Sequence, residues 1–239
     1  MEKIEKGGSA AAPFCFKNLS ALHHGFISTC MSRLARSSSK AVSVVPRSFY
    51  EHAPDTVARK LLGKLVVSEC GGERLSGRIV EVEAYFGLED PAAHAYIGRT
   101  ARNAVLFGPP GVAYVYFIYG MYYCLNVSCE PDGQAGCILI RALEPVEGLD
   151  AMAKLRKLPQ HPKPQLLTSG PGRLCQALAI TRSAHNGLDV THPASCLRIE
   201  DDGHRVQDIL VTPRIGIRHA AELPARFLID GNKFVSRSR

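Results

Sequence analysis

Beyond residue 45 the apolar positions of this chain follow two rhythms. Residues 53–62, Ala-Pro-Asp-Thr-Val-Ala-Arg-Lys-Leu-Leu, place Val57, Leu61 and Leu62 at helical spacing behind Asp55, a residue type that caps helix N-termini, so a short helix should open the fold. Short runs with strand character follow at 63–67, 77–85, 113–118, 122–128 and 137–141. They are close together and short-linked, which favours antiparallel pairing. Helical spacing returns at Leu149, Met152 and Leu155, with Pro145 suited to a first helical turn and the helix ending near Lys157. Residues 160–165 read as a proline-rich loop, and Ser169-Gly-Pro-Gly-Arg173 opens a second helix carrying Leu174 and Leu178. Weaker strand runs occupy 209–217 and 226–229. The pattern predicts an α+β fold: a single mixed domain with a curved, largely antiparallel sheet, flanking helices, and no repeat.

Composition changes this picture mainly at the N-terminus. The 239 residues, 46% hydrophobic and 21% charged, suit one well-buried domain. Residues 7–45 hold no acid and eight serines, with Arg33, Arg36 and Lys40 punctuating the run. That suits an organelle transit peptide, to mitochondrion or chloroplast, or equally a flexible basic tail that reaches nuclear DNA or is simply solvated. Residues 1–45 are therefore set apart from a folded domain, 46–239. The formal charge of +7 falls to +3 beyond residue 45, so binding of a polyanion must rest on how charges cluster. The eight cysteines are scattered without metal-ligand spacing, which favours reduced thiols and no zinc, with Cys124 and Cys175 as core packing. The apolar run 113–127 contains five tyrosines and Gly120 and is too short to span a membrane.

Three segments carry candidate chemistry. In Val80-Glu-Val-Glu-Ala-Tyr85, strand alternation puts Glu81, Glu83 and Tyr85 on one face and Val80, Val82 and Ala84 on the other. The polar face either serves a site, since unpaired carboxylates are costly to bury, or meets solvent. In 114–126, Tyr114 and Tyr116 share a face, Tyr119-Gly-Met121 can form a tight hairpin tip, and Tyr122, Cys124 and Asn126 share a face of the returning strand. Such a tip either exposes large apolar side chains as an interaction surface or packs on the core. Third, the apolar strand Cys137-Ile-Leu-Ile ends in Arg141, which needs a carboxylate or phosphate if buried. Glu83 is a candidate, and an ordinary structural ion pair explains the arginine equally well.

Gly77-Arg-Ile-Val-Glu-Val-Glu-Ala-Tyr85, Glu89-Asp-Pro-Ala-Ala-His94, Tyr114-Val-Tyr-Phe-Ile-Tyr-Gly-Met-Tyr122, Ile140-Arg-Ala-Leu-Glu-Pro145 and Ser169-Gly-Pro-Gly-Arg-Leu-Cys-Gln-Ala-Leu178, in that order, resemble the alkyladenine (3-methyladenine) DNA glycosylase family. The resemblance implies a single mixed domain with a protruding β-hairpin and a base-excision-repair enzyme acting on alkylated or deaminated purines, of the 3-methyladenine, 7-methylguanine and hypoxanthine type, in double-stranded DNA. It implies Glu83 as the base that activates water, with Arg141 orienting water and carboxylate. Tyr85, His94 and Tyr116 would hold the extruded base, and Asn126 would oppose the exocyclic amine of undamaged guanine. Tyr119 would fill the gap in the duplex, with Met121 and Tyr122 wedging the neighbouring pairs. The loop 98–108 is slightly short for the family and 130–136 carries extra residues, which puts lesion preference more in doubt than reaction type.

The chemistry suits these groups. A carboxylate near the sugar both stabilises an oxocarbenium-like state and activates water, and stacking on aromatics offsets the cost of extruding a base. No lysine lies in the matched motifs to form a Schiff base, so a monofunctional glycosylase without lyase activity, metal or organic cofactor is expected. Arg99, Arg102, Ser169 and Arg173 are candidates for phosphate contact. The remaining expectations are a monomer, no membrane association, and a nuclear location unless the tail directs the chain to an organelle.

Overall fold

The computed structural model describes residues 42–69 and 72–236. Its strands are β1 (Ser43–Val44), β2 (Leu65–Ser68), β3 (Leu75–Tyr85), β4 (Ala113–Ile118), β5 (Tyr122–Cys129), β6 (Gly136–Glu147), β7 (Leu197–Asp201), β8 (Ile209–Thr212) and β9 (Arg226–Ile229). Among the described residues they form one antiparallel sheet in the order β1-β7-β2-β3-β6-β5-β4, with β9 joined to β3 and β8 to β9. The sheet curls into a half-barrel, the α+β architecture expected.

The long strand β3 positions the site. One edge pairs with β6, while the other pairs with β2 over 75–78 and with β9 over 81–83. Where the partner changes, the register with β6 slips. Ile79 faces Leu143, Glu81 faces Ala142 and Val82 faces Ile140, leaving Val80 and Arg141 out of step. Simple alternation, which grouped Val80 with Val82 and Ala84, therefore fails at this point: Ile79, Val82 and Ala84 join the main core, and Val80 is buried outside it.

Helices α1 (Pro54–Leu61), α2 (Leu149–Leu155), α3 (Gln165–Thr168), α4 (Pro171–Ala177) and α5 (Arg182–His185) complete the domain. Helix α1 packs on β3 and β6, α4 on β5 and β6, and α2 on α4. Val57, Leu61, Met152, Leu174 and Leu178 meet Ile79, Val82, Ile138 and Ile140 in this core. Burial of each such side chain is worth about 1.5–3 kcal/mol, which holds β3 and β6 in place.

Several expectations need correction. Helix α1 has no side-chain cap. Pro54 sets its start, and Asp55 lies in the first turn, accepting from the Thr56 amide at 2.7 Å. Pro145 belongs to β6, opposite Gly77 beside a register shift, a place where a strand tolerates proline; α2 begins only after Gly148. Helix α3 starts inside the presumed loop, and β8 stops at Thr212. Residues 43–45, assigned to the tail, belong to the sheet: β1 pairs with β7, and Val45 is buried. Residues 1–41 of the tail lie outside the described residues. Cys124, Cys129, Cys137 and Cys175 are free and buried. Cys196 is disulfide-bonded, against the expectation of reduced thiols. It sits where β7 meets β2, its carbonyl accepting from the Glu69 amide, and strand register rather than sequence spacing sets its neighbours. No helix of the described residues is long and apolar enough to cross a membrane.

Candidate active site

Because β3 runs between β6 and β9 here, Glu81 and Glu83 are both 0% exposed, and the solvent-face alternative falls. Their surroundings differ. Glu81 meets four donors: Oε1 accepts from Arg141 Nε (3.0 Å), Arg226 Nε (2.6 Å) and Ser236 Oγ (2.8 Å), and Oε2 from the Ser236 amide (2.6 Å). At Glu83, Oε1 accepts from the Ile215 amide at 2.7 Å and lies 3.1 Å from Arg141 Nη1, while Oε2 accepts from the Tyr85 hydroxyl at 3.0 Å. A carboxylate offers about four lone-pair sites, so one site on Oε2 stays open among the described residues. Burial pulls the Arg141 guanidinium toward neutrality, but Glu83 and Glu81 outweigh it and hold the charge more firmly than usual.

Glu83 and Arg141 form part of the lining of a cleft of about 1570 Å³. Tyr85, His94, Tyr114, Tyr116, Cys124 and Asn126 line it as well. The His94 and Tyr116 rings meet edge-on at 4.5 Å, and His94 Nδ1 is 3.0 Å from the Tyr114 hydroxyl. Burial, reinforced by Arg102, lowers the His94 pKa and favours neutral imidazole. Burial pushes the Tyr85 and Tyr116 hydroxyls upward, with Glu83 adding to the effect at Tyr85, so both stay protonated. Asn126, 3% exposed, donates Nδ2 to the Tyr114 carbonyl at 3.1 Å. Cys124 is buried as expected yet belongs to the cleft lining, which corrects its assignment to plain core packing.

Strands β4 and β5 form the expected hairpin, with Ile118 opposite Tyr122. Tyr119 and Gly120 both have positive φ, 54° and 67°, as a type I′ turn requires. Asparagine and glycine suit that turn; tyrosine there costs about 1 kcal/mol. Tyr119 is 78% exposed and Met121 61%, so the tip projects rather than packs. Behind it, a Cβ on Gly172 would come within 2.9 Å of the Tyr122 ring, so only glycine lets α4 approach the hairpin this closely.

The phosphate candidates divide. Arg102 lines the cleft, with its guanidinium 5.8 Å from the Tyr116 ring centre; Ser169 and Arg173 line it from the α3–α4 junction, where Arg173 donates to the Ser169 carbonyl at 3.4 Å. Arg99 is exposed and outside the lining. Lys163 and Lys233, which the sequence reading passed over because they lie outside the quoted motifs, add positive charge to the lining. Also missed were Ile215, whose amide serves Glu83, its neighbour Arg214, and Arg226 and Ser236 on Glu81. No local signal marks these residues, because their role comes from pairing across 124 to 155 positions.

A carboxylate with one open site beneath an aromatic cleft, next to a projecting strained tip, fits chemistry on an inserted planar group. The sequence model described as methylpurine-DNA glycosylase (MPG) matches residues 48–233, which include every side chain named above except Ser236. The chain belongs to the methylpurine-DNA glycosylase family. It is 54% identical over 206 residues to a protein of Koribacter versatilis, covering 86% of this chain and 99% of that one. A Methanocella arvoryzae protein is 49% identical over 197 residues, 81% of this chain and 96% of its own. One from Alkaliphilus oremlandii is 47% identical over 200 residues, 80% of this chain and 98% of its own. All three carry the name "Putative 3-methyladenine DNA glycosylase". As a methylpurine-DNA glycosylase the chain is a hydrolase of DNA repair whose substrate is DNA. The relatives are mostly bacterial and archaeal, so the expected nuclear location finds no support among them.

Proposed function

We propose that this methylpurine-DNA glycosylase extrudes an alkylated or deaminated purine from duplex DNA into the aromatic cleft and hydrolyses its N-glycosidic bond with water activated by Glu83. The observation that carries this is the placement of the two buried carboxylates: Glu83 lines the cleft with one acceptor site on Oε2 open among the described residues, whereas Glu81, with four donors, lies outside the lining. Water gives a proton to Glu83 as its oxygen bonds to C1′, and the C1′–N electron pair leaves with the base. Arg141 orients water and carboxylate. Bases that already carry positive charge, 3-methyladenine and 7-methylguanine, leave without help, whereas hypoxanthine needs a donor.

Tyr85, His94 and Tyr116 hold the base by stacking and edge contacts, each stacked ring returning about 1–3 kcal/mol toward extrusion. Asn126 opposes the exocyclic amine of guanine. Tyr119 fills the vacated space in the duplex, and Met121 and Tyr122 press on the neighbouring pairs. Arg99, Arg102, Ser169 and Arg173, joined by Lys163 and Lys233, meet phosphates as a monomer engages one duplex. The partners of Glu83 are a guanidinium, a phenol and an amide, and the cleft lysines Lys163 and Lys233 are given to phosphates, so in this reading release leaves the strand intact.

The test incubates the protein and its Glu83→Gln variant with duplexes holding one hypoxanthine or one 7-methylguanine, scoring base release apart from strand breakage before alkali. Release by the parent alone, without breakage, is expected. Binding by both without release by either would replace the reading with lesion recognition; a covalent complex trapped by borohydride would overturn the monofunctional assignment.

A further inference from the structure

Arg214 and Asp90 form a buried ion pair, 5% and 3% exposed, with no place in the chemistry above and no part in the cleft lining. Arg214 Nη1 and Nη2 each donate to one Asp90 oxygen, the latter at 2.9 Å, and Nη1 also donates to the Ala84 carbonyl at 3.0 Å. The guanidinium lies 4.6 Å from the Tyr85 ring centre. Asp90 in turn accepts from the Phe86 amide at 3.2 Å and the Ala92 amide at 3.0 Å. The pair thus joins three pieces of the cleft: the end of β3 with Glu83 and Tyr85, the wall with Ala92 and His94, and the segment with Ile215.

Stability alone accounts poorly for such a pair, because desolvation largely cancels its attraction and apolar replacements of similar volume are often as stable. The geometry matters more. Residue 215 follows Arg214 directly, and its amide reaches Glu83 Oε1 at 2.7 Å. We propose that Arg214, anchored by Asp90, is a positioning residue that aims the Ile215 N–H at the Glu83 carboxylate and fixes the Tyr85 ring from behind. The inference rests on the reading of Glu83 as the base. It implies that loosening Arg214 degrades the hydrolytic step more than DNA binding, since neither Arg214 nor Asp90 belongs to the cleft lining.

The test compares Arg214→Lys, Arg214→Met and Asp90→Asn with the parent in single-turnover base release from a hypoxanthine duplex, varying enzyme to separate the maximal rate from the half-saturating concentration. A maximal rate lower by about 10²-fold is expected for Arg214→Met, the scale for a misplaced catalytic group, with half-saturation changed less than about threefold. Arg214→Lys, which keeps the charge, should recover part of the loss. If Arg214→Met does not fold, the near-isosteric Asp90→Asn carries the test with the same expected split. Unchanged maximal rates, or a lower rate accompanied by a raised half-saturating concentration and lower thermal stability, overturn the proposal. Glu83→Gln, run alongside, separates the two readings: if it is inert while the Arg214 variants are fully active, only the positioning role fails. If it is active, the base assignment itself fails.

Discussion

Arg141→Met tests the charge balance beneath the cleft. Glu81, Glu83, Arg141 and Arg226 form a nearly neutral buried set in which Arg141 touches both carboxylates, at 3.0 Å and 3.1 Å. Methionine fills similar space but leaves two negative charges facing one guanidinium. Removing one partner of a buried pair costs about 3–5 kcal/mol; the low end applies here because Arg226 and Ser236 still serve Glu81, and Tyr85 and Ile215 still serve Glu83. About 3 kcal/mol lowers Tm by about 6–12 °C in a domain of this size. The informative comparison is Arg141→Met combined with Glu83→Gln. Glutamine removes the surplus charge, so the double variant should be more stable than Arg141→Met alone, by about 1–2 kcal/mol, although inactive. Urea unfolding at pH 7 of the parent, both single variants and the double variant measures the coupling. Strictly additive losses would show that the carboxylates and Arg141 do not share one electrostatic account, and the reasoning would fail.

Other consequences are independent of that cycle. Tyr119→Asn suits the positive φ of the turn better than tyrosine, so thermal stability should hold or rise by up to about 1 kcal/mol while cleavage of lesion duplexes falls at least tenfold; retained cleavage would remove the tip from the mechanism. Gly172→Ala forces the whole Tyr122 ring to move and should weaken duplex affinity several-fold in a fluorescence anisotropy titration; unchanged affinity would show that α4 does not set the hairpin position. Burial lowers the pKa of both His94, with help from Arg102, and His185, whose Nε2 has no hydrogen-bond partner among the described residues. The unfolded chain therefore takes up protons first as pH falls below about 6.5, and stability should decline with acid in that window; His185→Gln should flatten the slope of unfolding free energy against pH, and an unchanged slope would refute the assignment.

Legibility from sequence tracked the range of the interactions involved. The strand periodicity of 113–118 matches β4 residue for residue, and Glu83, Tyr85, Tyr116 and Asn126 emerge from local pattern and motif because each lies on a strand facing the cleft. Alternation broke at Val80, because a bulge is a property of two strands and is silent in one. Pro145 misled because the same fixed φ suits a first helical turn and a bulged strand end. Arg214 and Ser236 carried no signal at all: their partners lie 124 and 155 positions away. The difference between Glu81 and Glu83, one outside the cleft lining and one in it, could not be read from two glutamates two residues apart.

The donor set on Glu81 also bears on when the enzyme can first work. Its carboxylate, in the first half of the chain, is completed by the amide and hydroxyl of Ser236, which are made 155 residues later. Closing so long a loop is slow compared with forming the β4–β5 hairpin, whose partners are near neighbours. During synthesis, the β4–β5 hairpin can therefore pair before the donor set of Glu81 is complete. On the function proposed above, a growing chain would gain its grip on DNA before its power to cut a base, and the segment with Ser236 would act as the latch that arms it.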